Sequence, residues 1–325
     1  MLKVFLIAVV VYSSVIIPCS AQKDVKQETF WPNGNKKIEG YLDKRGYREG
    51  QWLEWYEDGK EKSEENYKHG KKDGRFAEWY RNGQIHKEII YQSAPGSVSD
   101  ITNGRYSEYY ENGQKMMEGD YLRGAKDGEW KEWHENGKPK KTENILNKLK
   151  DGQYSEWYEN GNKKTTGVYL RDEKRGKWMY WYENEQLKTE ESYDQMGFMQ
   201  GKVTTYYENG KVQNEGVYVN SIKDGQWLSW HENGKQQSEN FYKAGYKDGL
   251  QKEWYDNGNK KFEESYKWRN PDGAYTEWHE NGNKKTEGTY NGGLKDGAWA
   301  YYNAEGKKTK EVIYNEGKKK KELSF

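Results

Sequence analysis

Cysteine is all but missing: Cys19 is the only one in 325 residues. Disulfide frameworks and CxxC zinc or redox sites are thereby excluded. Proline is scarce as well, five in all, so little stands in the way of long runs of strand pairing. Aliphatic side chains are few. Hydrophobic residues make up 32% of the chain, and aromatics alone account for 16%. Typical domains are nearer half apolar, so a globule built on a thick aliphatic core is excluded. Neither sign of charge dominates, with 54 Lys and Arg against 53 Asp and Glu. Nucleic-acid binders carry a basic surplus, and this chain has none. Its one conspicuous same-sign cluster, Lys318 to Lys321, reads as a solvated end.

A transmembrane helix requires ~20 apolar residues in succession. The longest apolar run, Val4 to Ile17, is shorter and is broken by Tyr12, Ser13 and Ser14. Lys3 precedes it, and Pro18, Cys19, Ser20 and Ala21 follow. That order of cation, apolar stretch and small residues predicts an export signal over 1–21, cut after Ala21. The mature chain, 22–325, is then free of cysteine and formally neutral. A lipid anchor on Cys19 is the rival reading, and Pro18 directly before it fits a lipoprotein signal poorly. The expected location is the periplasm, the cell surface or the medium.

What the chain has in abundance is rings and charge. It holds 15 Trp and 29 Tyr, and a third of its residues are charged. Disordered chains are poor in aromatics, so these rings point to an ordered fold. They recur. Glycines 34, 59, 83, 113, 137, 161, 210, 234, 258, 282 and 306 each close a turn, and Glu185 fills the remaining slot. The result is twelve units spaced 24 residues apart, with two spacings of 25 and one of 30. The longest spacing reflects an insertion around 94–100. Counting from the glycine of the KDG motif, position 3 is usually aromatic, position 6 nearly always so, and position 7 is Tyr or His. Position 18 is Tyr in ten of the twelve units. His134, His231 and His279 occupy slots that sister units give to Tyr, which argues against a catalytic base.

Each unit reads as two strands. The first is rich in Trp, Tyr and Thr, as strands are. Asn-Gly follows, and its tolerance of positive φ predicts a type I′ hairpin turn there. A looser turn of the GxKDG kind then leads to the next unit. The fold class expected is all-β: an elongated array of about twelve 24-residue β-hairpins in one twisted antiparallel sheet. At ~4.8 Å per strand, 24 strands extend on the order of 110 Å. Residues alternate between faces, so positions 3, 5 and 7 share one face and positions 4 and 6 the other. Pro32 and the lysine-rich C-terminus would blunt the two ends against further pairing.

The pattern G-x-W-x-E-W-Y-E-N-G followed by Y-x-x-G-x-K-D-G resembles the MORN repeat in its bacterial variant form. The resemblance covers nearly all of the mature chain. It implies stacked β-hairpins forming an elongated, grooved sheet, with scaffolding, protein-binding or membrane-associated roles. Bacterial relatives are often labelled antitoxins of toxin–antitoxin pairs. An export signal would turn that into an immunity-like role outside the cytoplasm.

The leading functional expectation is therefore an exported, non-catalytic scaffold that binds a protein through an extended aromatic and charged surface. Trp55, Trp79, Trp133, Trp157, Trp181, Trp230, Trp254 and Trp278, all at position 6, are the candidate interaction surface. A wall- or glycan-binding module is the alternative, with rings stacking on sugars or caging quaternary amines. No GxSxG, HExxH, P-loop or dense DxDxDG cage occurs. No catalytic, cofactor-binding or metal-ligating residue is expected, nor any nucleic-acid partner. Membrane association without a transmembrane helix stays open. The insertion near 94–100 and the irregular stretch 193–201 are further contact candidates.

Overall fold

The computed structural model describes residues 24–91 and 103–325. The expected export signal over 1–21, with Cys19, and the 94–100 insertion lie outside the described residues. Within them the chain forms one open antiparallel sheet of 26 strand segments. Each strand pairs with those before and after it in sequence, from Val25–Phe30 to Lys318–Ser324. Tyr246–Lys247 and Gly249–Trp254 are two pieces of one strand position, both paired with Gln236–Lys243. Every unit thus contributes a hairpin, and the C-terminal lysine cluster adds one more strand. Its exposed lysines charge the outer edge, a usual guard against further pairing.

The two kinds of turn are the reverse of the expectation. At Asn-Gly only the glycine has positive φ, +85° at Gly113 and +91° at Gly234. Tyr110 N–H donates to the Gln114 carbonyl at 2.8 Å, and Gly113 N–H to the Tyr110 carbonyl at 2.9 Å. This is a three-residue loop ending in a left-handed glycine bulge, not a type I′ turn. Asn is present for its amide. Asn112 Oδ1 accepts from Gln114 N–H at 2.8 Å, and Asn112 Nδ2 donates to the Glu135 carbonyl of the next unit at 2.9 Å. The same sideways bond runs from Asn136 to Glu159 and from Asn160 to Glu183. The tight turns lie between units. Leu122 pairs with Ala125 across Arg123 and Gly124, whose φ values are both positive. Asn147-Lys148, Arg171-Asp172, Asn220-Ser221 and Trp268-Arg269 adopt that left-handed pair with no glycine at all. Glycine counting from sequence could not find them.

The core is a single row of rings on one face. Trp130, Trp178 and Trp299 at position 3 are 0–1% exposed. Each indole lies flat on a glycine of the preceding strand. A Cβ on Gly119, Gly167 or Gly288 would fall 2.2–2.3 Å from it. Gly40 under Trp52 and Gly216 under Trp227 complete the set. The indole N–H donates to the carbonyl one residue further on, as from Trp130 to Asp120 at 3.1 Å. Position-18 tyrosines meet these indoles edge-on, Tyr169 to Trp178 at 4.8 Å and Tyr290 to Trp299 at 4.9 Å. Such pairs contribute about 0.5–1.5 kcal/mol beyond burial. The lysine of KDG closes the row from outside, with Lys126 Nζ 4.1 Å from the Trp130 ring and Lys295 3.9 Å from Trp299. A layer of rings under lysine stems thereby stands in for a second sheet.

One unit confirms the logic by exception. Gln251 holds position 3 and is fully buried. Its Nε2 donates to the Phe241 carbonyl at 3.0 Å, the bond an indole N–H makes elsewhere. Opposite it stands Asn240 where tryptophan units have glycine. Gln251→Trp alone should overpack against Asn240 and cost about 1–3 kcal/mol. Combined with Asn240→Gly, it should recover at least that amount. Urea denaturation of both single variants and the double variant checks this, and additive effects would contradict the pairing.

Candidate functional site

The repeated residues are committed to neighbouring units. Position 7 donates to the carbonyl of position 6 in the next unit: Tyr110 to Trp133 at 2.9 Å, Tyr158 to Trp181 at 2.9 Å, Tyr255 to Trp278 at 3.0 Å. Histidine does the same through Nε2, with His134 3.1 Å from the Trp157 carbonyl and His231 3.0 Å from that of Trp254. A carbonyl only accepts, so Nε2 carries the proton. Histidine replaces tyrosine because both offer an N–H or O–H at that reach. Tyr80 bonds the Tyr109 carbonyl at 2.8 Å across the insertion, which therefore leaves the ladder intact.

The KDG aspartate is used likewise. Asp224 Oδ1 accepts the N–H of Ala244 at 3.2 Å, and Asp248 that of Trp268 at 3.3 Å, each 20 residues on. Glutamates at position 5 pair with lysines of their own hairpin, as Glu54 with Lys62 at 3.0 Å and Glu277 with Lys285 at 2.7 Å. A groove of about 390 Å³ between Trp52, Glu54, Glu78 and His86 is lined by such pairs. Asp43, Glu49 and His69 converge on one inter-unit turn, with His69 Nδ1 3.4 Å from Glu49 Oε2. Asp43 Oδ1 there caps Arg45 and Tyr47, and Glu49 Oε2 accepts His69 N–H. Asp194, Gln200 and Asn220 make the same backbone bonds in the longer loop of the seventh unit. Turn closure therefore accounts for the cluster.

All eight candidate tryptophans, from Trp55 to Trp278, are half-buried. Their odd spacing from position 3 puts them on the opposite face of the sheet. Cations cover several: Lys36 lies 5.5 Å from Trp55, Lys115 5.7 Å from Trp133 and Lys260 5.3 Å from Trp278. They form a regular row on one face, and none stands fully in water.

The most exposed large apolar side chains lie elsewhere, many of them along the edge formed by the inter-unit turns. Trp268 is 73% exposed and Met196 71%. Leu122, Leu146, Leu170, Ile222, Tyr246 and Leu294 are exposed beside successive turns. Neighbouring turns touch, since a Cβ on Gly245 would lie 2.8 Å from Ile222 Cγ2. Position 6 was the leading sequence choice because it repeats; of the edge only the irregular stretch 193–201 was a candidate, because the other turn residues vary. The off-register tryptophan at 268 was the available signal, along with Met196 and Phe198 of the irregular stretch.

Trp268 anchors the best-formed part of this edge. Its φ is +50°, a left-handed backbone uncommon for a bulky residue. It borders a cavity of about 300 Å³ with Lys243, Tyr246, Lys247, Asp248 and Arg269. The Arg269 guanidinium sits 3.4 Å from the Tyr246 ring centre, and Lys243 Nζ 5.6 Å from that of Trp268. The Asp248 carboxylate is engaged by the turn. Exposed Trp, Tyr and Arg together are the composition of contact hot spots.

Ionisation supports a structural role for the tyrosines. Burial, then the bond to Glu65, pushes Tyr67 up to about 12. Burial and Glu264 do the same to Tyr266, and the Glu287 bond leads for Tyr302, both also to about 12. Their phenols ionise near 10 when unfolded. A raised value in the fold means their stabilisation is complete below pH 10 and is lost as pH rises towards 12. Tyrosinate absorbance of the native protein should therefore lag that of the urea-unfolded chain and rise together with loss of near-UV dichroism. Coincident titration curves with dichroism intact would contradict it. His134→Tyr should change stability by under about 0.5 kcal/mol, whereas His134→Phe, lacking the donor, should cost about 1 kcal/mol in denaturant titration.

Comparison with known proteins agrees with the repeat. The family described as MORN repeat variant matches residues 48–69, 72–93, 102–122, 126–147, 150–170, 174–195, 199–220, 223–244, 247–267 and 271–291. A search of curated proteins finds no match. Among solved structures, similarity is found to TcdB2-TccC3-Cdc42, at 10% identity over 89% of this chain and 19% of that one, TM-score 0.18. A Photorhabdus luminescens Tc holotoxin pore is similar at 11% identity over 89% and 19%, TM-score 0.19. The chain spans under a fifth of those chains, and superpositions this poor carry no argument. Among the described residues no helix is long and apolar enough to cross a membrane.

Proposed function

We propose that this chain, which belongs to the MORN repeat variant family, is an exported, non-catalytic scaffold that binds a protein through its inter-unit turn edge. One observation carries the reading. The repeated Trp, Tyr, Asn and Asp residues are bonded to an adjacent unit, Trp to the one before and the others to the one after, whereas Trp268, Tyr246 and the apolar residues beside the other turns face solvent. Exposed apolar side chains gathered along one edge mark a contact surface better than singly scattered ones. A long repeated edge also suits extended or multivalent partners. A second reading, binding of envelope glycan, is supported by the half-buried indole row at position 6.

The test is affinity capture. Mature chain 22–325 and its Trp268→Gly variant would be immobilised and exposed to envelope extract of the source cells. Glycine relieves the left-handed backbone, so the variant should stay folded. One stoichiometric protein retained by the wild type and lost with Trp268→Gly is the expected result. Equal retention by both removes the edge from the reading. Retained sugar without protein moves the glycan reading to first place.

A further inference from the structure

We infer that the turn edge takes an acidic polypeptide segment in extended, polyproline-like form, with an apolar side chain at every third residue. This rests on the scaffold reading above and names the partner's chemistry. Two dimensions coincide. Successive units are two strands apart, ~9.6 Å along the edge. A polyproline II chain advances ~3.1 Å per residue, so three residues cover ~9.3 Å. A segment lying along the edge, across the strand direction, would bring each third side chain to one unit. A fully extended strand at ~3.3 Å per residue presents alternate residues to one side, ~6.6 Å apart, and falls out of step.

The edge offers apolar partners at that interval on either side of the longer loop 193–201, which interrupts the series between Leu170 and Ile222. Leu146, Leu170, Ile222, Tyr246, Trp268 and Leu294 stand exposed beside their turns. The complementary charge is negative. Lys148, Arg171, Lys243 and Arg269 are exposed on the same edge. Among the described residues none of the four forms an ion pair, although Lys243 and Arg269 lie over exposed rings. The one carboxylate at the Trp268 cavity, Asp248, already caps the Trp268 turn. The cavity thus pairs two exposed rings with Lys243, Lys247 and Arg269, and calls for an apolar group flanked by carboxylates. Trp268 holds this pose on a left-handed backbone, where the equivalent turns place His, Arg, Asn, Ala, Gly or Glu and no other large ring but the His69 imidazole. Strain of this kind is found where a side chain serves binding.

The probe is a fluorescein-labelled peptide of repeated Leu-Pro-Glu, titrated with chain 22–325 and read by fluorescence anisotropy. Three controls accompany it: repeated Leu-Pro-Lys, a peptide of equal composition with leucine spacing scrambled, and the titration repeated in high salt. The Leu-Pro-Glu peptide should bind, and each control should weaken binding about tenfold or abolish it. Trp268→Gly and, independently, Arg269→Gln with Lys243→Gln should each weaken it about tenfold, with unchanged circular dichroism. Equal binding of the scrambled or the lysine peptide overturns the inference, as does full binding by both variants or no binding of the acidic peptide. If the peptide fails while Trp268→Gly still loses a captured protein, the inference falls and the scaffold reading stands.

Discussion

Each unit of this protein is held by bonds to the unit beside it, and everything else in the structure depends on that coupling. A single open sheet has no second layer to pack against. Its stability must come from what one hairpin does for the next. Side chains supply it through backbone carbonyls: the position-7 hydroxyl or imidazole, the turn asparagine amide and the position-3 indole N–H each reach a carbonyl of an adjacent unit. Buried carbonyls must be paired somewhere. Here the pairing recurs every 24 or 25 residues, save once at the insertion, and gives the array its period.

The composition follows from the same constraint. Aliphatic residues are thin because rings do their work. An indole lying flat over a glycine fills a slot only one side chain deep, and a lysine stem seals it. The five tryptophans at position 3 face the five glycines for this reason, and Gln251 faces Asn240 where the slot is filled differently. Histidine at position 7 is a donor of the right reach, and so it substitutes for tyrosine.

Function, on this account, belongs to residues the ladders leave free. They lie at the edges, where turns vary in composition and carry exposed rings and unpaired cations. Trp268 illustrates the separation: its N–H completes the turn through Asp248, while its indole stands in water. Turn closure and solvent exposure are thereby carried by different atoms of one residue.

The sequence alone determined the class of fold, the period, the strand pairs and the interchange of His and Tyr at position 7. All of these rest on residues recurring in register, which a linear pattern displays directly. It misplaced the turn types, because Asn-Gly serves two purposes and only the geometry distinguishes a residue kept for its φ from one kept for its amide. It ranked position 6 above the turn edge, because repetition is visible in a string and exposure is not. Which face buries its rings, which side chains reach the next unit and which stand free are settled by the lateral stacking of hairpins. Residues 24 apart in the chain become neighbours only in the sheet.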